Sequence, residues 1–168
     1  MKRFDAFAVS IAISLFLTFD AIAQNSSSQA AGQAGSDKRI VEQMFTGWNA
    51  SDADKVAAAF SEDAVYEDVT ADHINRGRAE VRKWAAGAFE VFENFKMEIV
   101  SSSFHNGSGV VEWIWTGTDK GIHKTGKNFS VRGVSIVEIR KGKIVHYKEF
   151  YDWATAMKQL GLLPAEKK

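Results

Sequence analysis

The spacing of apolar residues changes period part-way along this chain, and that change constrains the fold more than any single motif. In the first half, Ile40, Val41, Met44, Phe45 and Trp48 recur at three- and four-residue intervals, as do Val81, Trp84, Ala85, Ala88 and Phe89. Both stripes read as amphipathic helices. From Phe95 the period drops to two. Phe95, Met97 and Ile99 alternate with charged residues, Val110 to Thr118 puts Trp113 and Trp115 on one face, and Phe129 to Ile139 and a run over 142–152 follow. Asn106-Gly107-Ser108-Gly109 and Arg140-Lys141-Gly142-Lys143 supply the turns. Between the helical stripes, Asn49-Ala50-Ser51-Asp52 breaks the first helix and Asp52 caps a second, which carries Val56, Ala59 and Phe60. Ala64 to Val69 is a short strand, Asp72 to Gly77 a loop, and Asp119 to Asn128 a polar loop. Asp152 caps a short last helix through Met157 and Leu160, with Gly161 as its stop. Helices followed by a meander of long antiparallel strands give an α+β architecture.

The ends read differently. Lys2 and Arg3 precede an apolar run over 6–19, and Ala21-Ile22-Ala23 has the form of a signal-peptidase site. The run falls short of the roughly 20 residues that span a bilayer. Residues 1–23 are therefore expected to be a signal peptide, with a retained N-terminal anchor as the alternative, and the periplasm is the simplest destination. Residues 24–36 are small and polar and read as a flexible tether. Residues 37–164 are the expected domain and 165–168 a polar tail. With no cysteine, no disulfide framework supports this domain. A packed core must do so, and a chain that is 45% hydrophobic, with 12 Phe and 5 Trp over its whole length, is consistent with one. Acidic and basic residues balance at 21 each, which argues against a nucleic-acid partner. After signal cleavage, no membrane partner is expected.

The segment 142–152 carries the first candidate for chemistry. On a strand, Val145, Tyr147, Glu149 and Tyr151 share one face. A carboxyl among tyrosines and an aliphatic residue is partly desolvated. Desolvation raises its pKa toward the range useful for acid–base work near neutrality. The same parity puts Tyr66 with Asp68, Trp113 with Trp115, and Ser135 with Val131, Gly133 and Val137. If these faces are all concave, the pocket is apolar with a few convergent polar groups, the usual form of a ligand site. Trp48 and Trp84 read as core. His73, His105 and His123 fall in loops or turns without metal-ligand spacing, so no metal is expected. His146 and Arg132 fall on the outer face.

Three stretches resemble the opening half of ketosteroid isomerases: Trp48-Asn49-Ala50-Ser51-Asp52, Ala58 through Asp68, and Arg76-Gly77-Arg78-Ala79-Glu80-Val81. Trp115-Thr116-Gly117-Thr118, Thr125-Gly126-Lys127, Gly142-Lys143-Ile144-Val145, Asp152 and Gln159-Leu160-Gly161 are similar to SnoaL-like polyketide cyclases. Both groups belong to the nuclear-transport-factor-two-like superfamily, and the resemblance covers about residues 38–162. It implies a cystatin-like α+β roll, a cone in which a curved antiparallel sheet wraps the N-terminal helices around an apolar pocket. Carried over residue by residue, Asp68 matches the general base of ketosteroid isomerase. That enzyme also uses a tyrosine and a protonated aspartate as an oxyanion hole. The matching positions here hold Met44 and Ser135. Glu149 matches the catalytic aspartate of the cyclases and one aspartate of limonene epoxide hydrolase. The Arg and Asp that complete the hydrolase triad are matched by Trp113 and Trp115, and of its Tyr-x-Asn water clamp Tyr66-Glu67-Asp68 keeps the tyrosine.

Two functions follow as expectations. In the first, Asp68 and Glu149 are catalytic, and Tyr66, Trp113, Trp115, Ser135 and Tyr147 line the substrate pocket. Asp68 takes a proton next to a carbonyl, Glu149 returns it or orients a water, and Ser135 with Tyr66 or Tyr147 steadies the oxyanion. This isomerase, cyclase or dehydratase chemistry calls for no cofactor. In the second, the same pocket holds an apolar ligand without turnover, or the outer face of the sheet forms a homodimer.

Overall fold

A computed structural model describes residues 7–163, with side chains from residue 28. The elements follow in the order α1 (Phe7–Asn49), α2 (Ala53–Ala58), β1 (Phe60–Asp68), β2 (His73–Arg76), α3 (Arg78–Val91), β3 (Phe92–His105), β4 (Ser108–Asp119), β5 (Asn128–Arg140), β6 (Lys143–Tyr151) and α4 (Trp153–Leu160). Residues 24–36, expected as a tether, are helical and continuous with α1. Lys2 and Arg3 of the expected leader, and the tail 165–168, lie outside the described residues.

Local chemistry sets most boundaries. The Asp52 side chain accepts the Lys55 N–H at 3.0 Å and starts α2. Asp152 accepts the Thr155 N–H at 2.9 Å and starts α4, which ends at Gly161 with φ +79°. Asn106-Gly107 and Lys141-Gly142 both take positive φ at two successive residues, the turn that suits the twist of a tight hairpin. The segment after Asp68 departs from expectation. His73–Arg76 is not a loop but strand β2, folded back antiparallel on β1 with Asp68 opposite His73 and Tyr66 opposite Asn75.

The six strands form one sheet in the order β2-β1-β6-β5-β4-β3. Its junctions are antiparallel except at β1 and β6, which run parallel. That junction brings the helical half of the chain against its last strand. Val41, Met44, Phe45 and Trp48 of α1, Val56 of α2 and Val81 and Ala85 of α3 pack onto Val111, Trp113, Trp115, Phe129, Val131, Val137, Ile144 and Tyr147 of the sheet. β3 is an edge strand, and the side chain of Asn49 satisfies it. Its amide donates to the Met97 carbonyl at 2.9 Å and its oxygen accepts the Met97 N–H at 2.6 Å. The break after the first helix is thus also a plug for the sheet edge.

Candidate functional site

Strand parity places the polar side chains. Tyr66 and Asp68 on β1 stand beside Tyr147 and Glu149 on β6, and Glu149 stands beside Ser135 on β5. All five side chains are buried. The intervening pair Glu67 and Lys148 points the other way and forms an outer-face ion pair at 2.8 Å. Arg132 is likewise outside, 3.8 Å from Glu112. His146, expected outside, is half-buried, and Ile144 is fully buried because the β5–β6 pairing shifts register between Glu138 and Ile139.

A cavity of about 510 Å³ opens between the concave face and α3. Tyr66, Asp68, Glu149, Trp113 and Trp115 line it, as the sequence suggests. Tyr151, Thr70, Phe92, Phe95, Met97, Trp153, Trp48 and Trp84 also line it, the last two being residues that helical spacing assigned to the core. Tyr151 was legible, since it shares the Glu149 face by parity. Trp153 was not, because it depends on how α4 folds back, where it stacks 6.0 Å from Trp115. The wall is continuous and aromatic, running from Trp48 through Phe95 to Trp115 and Tyr151 with ring centroids 5.1, 5.2 and 5.8 Å apart.

Two expected pocket residues do not line the cavity. Ser135 and Tyr147 lie behind its wall. The reason is Gly133. A Cβ there would sit 2.2 Å from the Trp113 ring, so only glycine lets the indole lie flat across β5 and cover Ser135. Trp113 Nε1 donates to Ser135 Oγ at 2.7 Å, and Ser135 Oγ donates to the Tyr147 hydroxyl at 2.6 Å. The serine is engaged on both sides and is not an open oxyanion donor. Met44, at the other position matched to an oxyanion partner, is fully buried and outside the cavity lining.

The hydroxyl chain ends on Glu149. Tyr66 donates its O–H to Glu149 Oε1, and Tyr147 supplies a second hydrogen bond. Burial, then the neighbouring Glu149, push both tyrosines up, so they remain donors. Burial first, and the Asp68 charge second, raise Glu149 from its ordinary 4.5 to about 8, against the opposing pull of the two tyrosines. Asp68 is also raised by burial, but its partners favour the charged form. The Ala71 N–H donates to Oδ1 at 2.8 Å, Tyr151 donates to Oδ2 at 3.0 Å, and the Thr70 backbone and His73 contribute in the same direction. Only Asp68 is held by backbone N–H groups. The hydrogen bonds at Asp68 therefore favour its charged form, whereas Glu149 holds its proton to higher pH. Such a pair can accept a proton at one carboxyl and donate one from the other.

A sequence profile of the SnoaL-like domain family matches residues 41–147. No curated protein matches the sequence. Among solved structures, the chain is similar to a protein of ketosteroid isomerase-like fold from Catenulispora acidiphila, determined in complex with trimethylamine. The two share 21% identity and a TM-score of 0.69, over 74% of this chain and 93% of that one. A putative SnoaL-like polyketide cyclase from Jannaschia sp. aligns at 14% identity and TM-score 0.69, over 78% and 95% of the two chains. An LEH-like epoxide hydrolase from M. tuberculosis aligns at 19% identity and TM-score 0.65, over 76% and 91% of the two chains. At these identities the solved structures speak to the fold, the α+β cone with its curved sheet. The profile match spans more than half of the sequence and covers β1, α3 and the strands up to Tyr147. The chain belongs to the SnoaL-like family.

Proposed function

We propose that this protein is an exported, cofactor-independent acid–base catalyst acting on a carbonyl compound, as an isomerase, cyclase or dehydratase. The observation that carries the reading is the pairing of Asp68 with Glu149 in a largely apolar, aromatic cavity, in surroundings that differ for the two carboxyls. Asp68 takes a proton from the carbon next to the carbonyl. Glu149, neutral and held from behind by Tyr66 and Tyr147, donates a hydrogen bond to the carbonyl oxygen as negative charge develops there. The oxyanion is then met by a carboxylic acid backed by tyrosines, in place of the serine. The signal-peptide-like pattern over residues 1–23 supports the exported location.

Cavity binding without turnover is the second reading, favoured by Met44 and by the covered Ser135. In the same proposal, the outer face of the sheet, where Val110, Ile136 and Phe150 are exposed, joins two copies of the chain. The deciding experiment follows deuterium exchange at the α-carbon of a cavity-bound cyclic ketone such as 2-tetralone. Exchange that is fast with the wild type and lost in both Asp68→Asn and Glu149→Gln supports catalysis. Exchange equal in all three, with binding retained, leaves the binding protein.

A further inference from the structure

We propose that Gly87 is the size-determining position of the cavity, the place where the body of the ligand seats against α3. Gly87 lies inside the helix Arg78–Val91 and lines the cavity between Trp84 and Ala88. Glycine weakens a helix interior relative to alanine, so a glycine there calls for a structural reason. In the sheet and at the α1–α2 contact the reason is a neighbour, while Gly35 of α1, like Gly32, has room but lies away from the cavity. A Cβ at Gly133 would meet the Trp113 ring at 2.2 Å, and one at Gly47 would meet the Val56 backbone nitrogen at 2.6 Å. At Gly87 nothing lies within 4 Å, and its φ is not in the left-handed range. Gly32 has similar free space but is exposed on α1, away from the cavity. No protein atom and no backbone angle requires a glycine at 87, and the space in front of it is cavity. The group that uses the space is the ligand.

The charges around this space define what enters. The ionisable groups of the cavity wall are Asp68, Glu149, the tyrosine hydroxyls and Lys83. Lys83 is largely exposed and its Nζ is 2.6 Å from Glu80, so among the described residues no free cation lines the cavity for an anionic ligand. An uncharged ring compound, with its carbonyl at the Asp68–Glu149 end and a face or edge against the Gly87 backbone, matches these surroundings. A methyl group added at 87 excludes ligands broad enough to reach α3 and leaves small ones unaffected.

The inference rests on the cavity being the ligand site, and three neutral ketones of increasing size test it: acetophenone, 2-acetylnaphthalene and 2-acetylphenanthrene. Their binding is measured by calorimetric titration on wild type, Gly87→Ala and Gly87→Leu. In Gly87→Ala, Tm is expected to rise by about 3 °C, since alanine stabilises a helix where it fits. The same variant should bind the three-ring ketone about tenfold more weakly, with acetophenone changed less than about twofold. Gly87→Leu should lose the two- and three-ring ketones. Equal binding of the three-ring ketone by wild type and both variants overturns the proposal, as does a wild type that binds none of the three. Asp68→Asn and Glu149→Gln separate this outcome from failure of the catalytic reading. If exchange chemistry is absent while the size dependence on Gly87 persists, only the chemistry has failed.

Discussion

Asp68 and Glu149 face each other across the parallel junction of β1 and β6, so two carboxyls far apart in sequence share one buried end of one cavity. Such a placement is costly when both are charged, because each ion loses water and meets a like charge. Burial and the neighbouring Asp68 charge raise Glu149, so that its proton is held to higher pH, and this has measurable consequences.

Stability should fall as pH rises through the upper ionisation of the pair. Glu149 is near 4.5 when unfolded and about 8 when folded. Between these values the native state binds the extra proton, so the stability it confers is complete below about 4.5 and is lost as pH climbs through 8. A shift of that size has a ceiling of about 5 kcal/mol. Glu149→Gln cannot ionise, so urea denaturation at pH 6 and pH 9 should show a smaller loss than in the wild type. Equal losses in the two proteins would remove Glu149 as the source.

The partners of Glu149 should move its titration in opposite directions. Tyr66 stabilises the charged carboxylate through its hydrogen bond, whereas Asp68 repels it. Carboxyl carbon shifts from glutamate-labelled protein should place Glu149 above about 8 in Tyr66→Phe and below it in Asp68→Asn. In a catalyst of the proposed type, the rate rises as Asp68 ionises and falls as Glu149 loses its proton near 8.

Period and parity made much of this legible, and the point where they stop is physical. The switch from helical to alternating spacing located α3 and the long strands. Alternation alone put Tyr66 with Asp68 and Tyr147 with Glu149 on faces that prove concave. Parity says which face a side chain leaves from, but not what lies on top of it. Ser135 leaves from the cavity face and is covered, because Gly133 admits the Trp113 indole over it. Trp48 and Trp84 leave from helix faces that meet the core and the cavity at once, so their spacing could not separate the two roles. His73–Arg76 is four residues long. A strand that short has too little alternation to distinguish from a loop, and tertiary pairing with β1 defines it.

Asn49 should matter for stability well beyond what its place at a helix end suggests. Its two hydrogen bonds to Met97, at 2.9 and 2.6 Å, occupy the outward backbone groups of the edge strand β3. Hydrogen bonds of this kind contribute about 1 kcal/mol each. Asn49→Ala should therefore lower the unfolding free energy by about 2 kcal/mol. Hydrogen exchange at the Met97 amide should rise by more than the global loss explains. Asn49→Asp keeps the acceptor but not the donor and should fall between the two.

Gly133 should tolerate nothing larger. An alanine methyl would sit 2.2 to 2.5 Å from three atoms of the Trp113 ring, and the indole is fully buried with its N–H committed to Ser135. Overpacking of this kind costs about 1–3 kcal/mol, and displacing the indole also breaks the chain through Ser135 and Tyr147 that ends on Glu149. Gly133→Ala is thus expected to be less stable than the wild type by about 3 kcal/mol or more, with Glu149 titrating at a different pH. The double variant Gly133→Ala/Trp113→Phe relieves the clash and should recover part of that stability in urea denaturation. The shifted titration should persist, because phenylalanine cannot donate to Ser135. If the double variant is no more stable than Gly133→Ala alone, the indole does not need the room that glycine leaves.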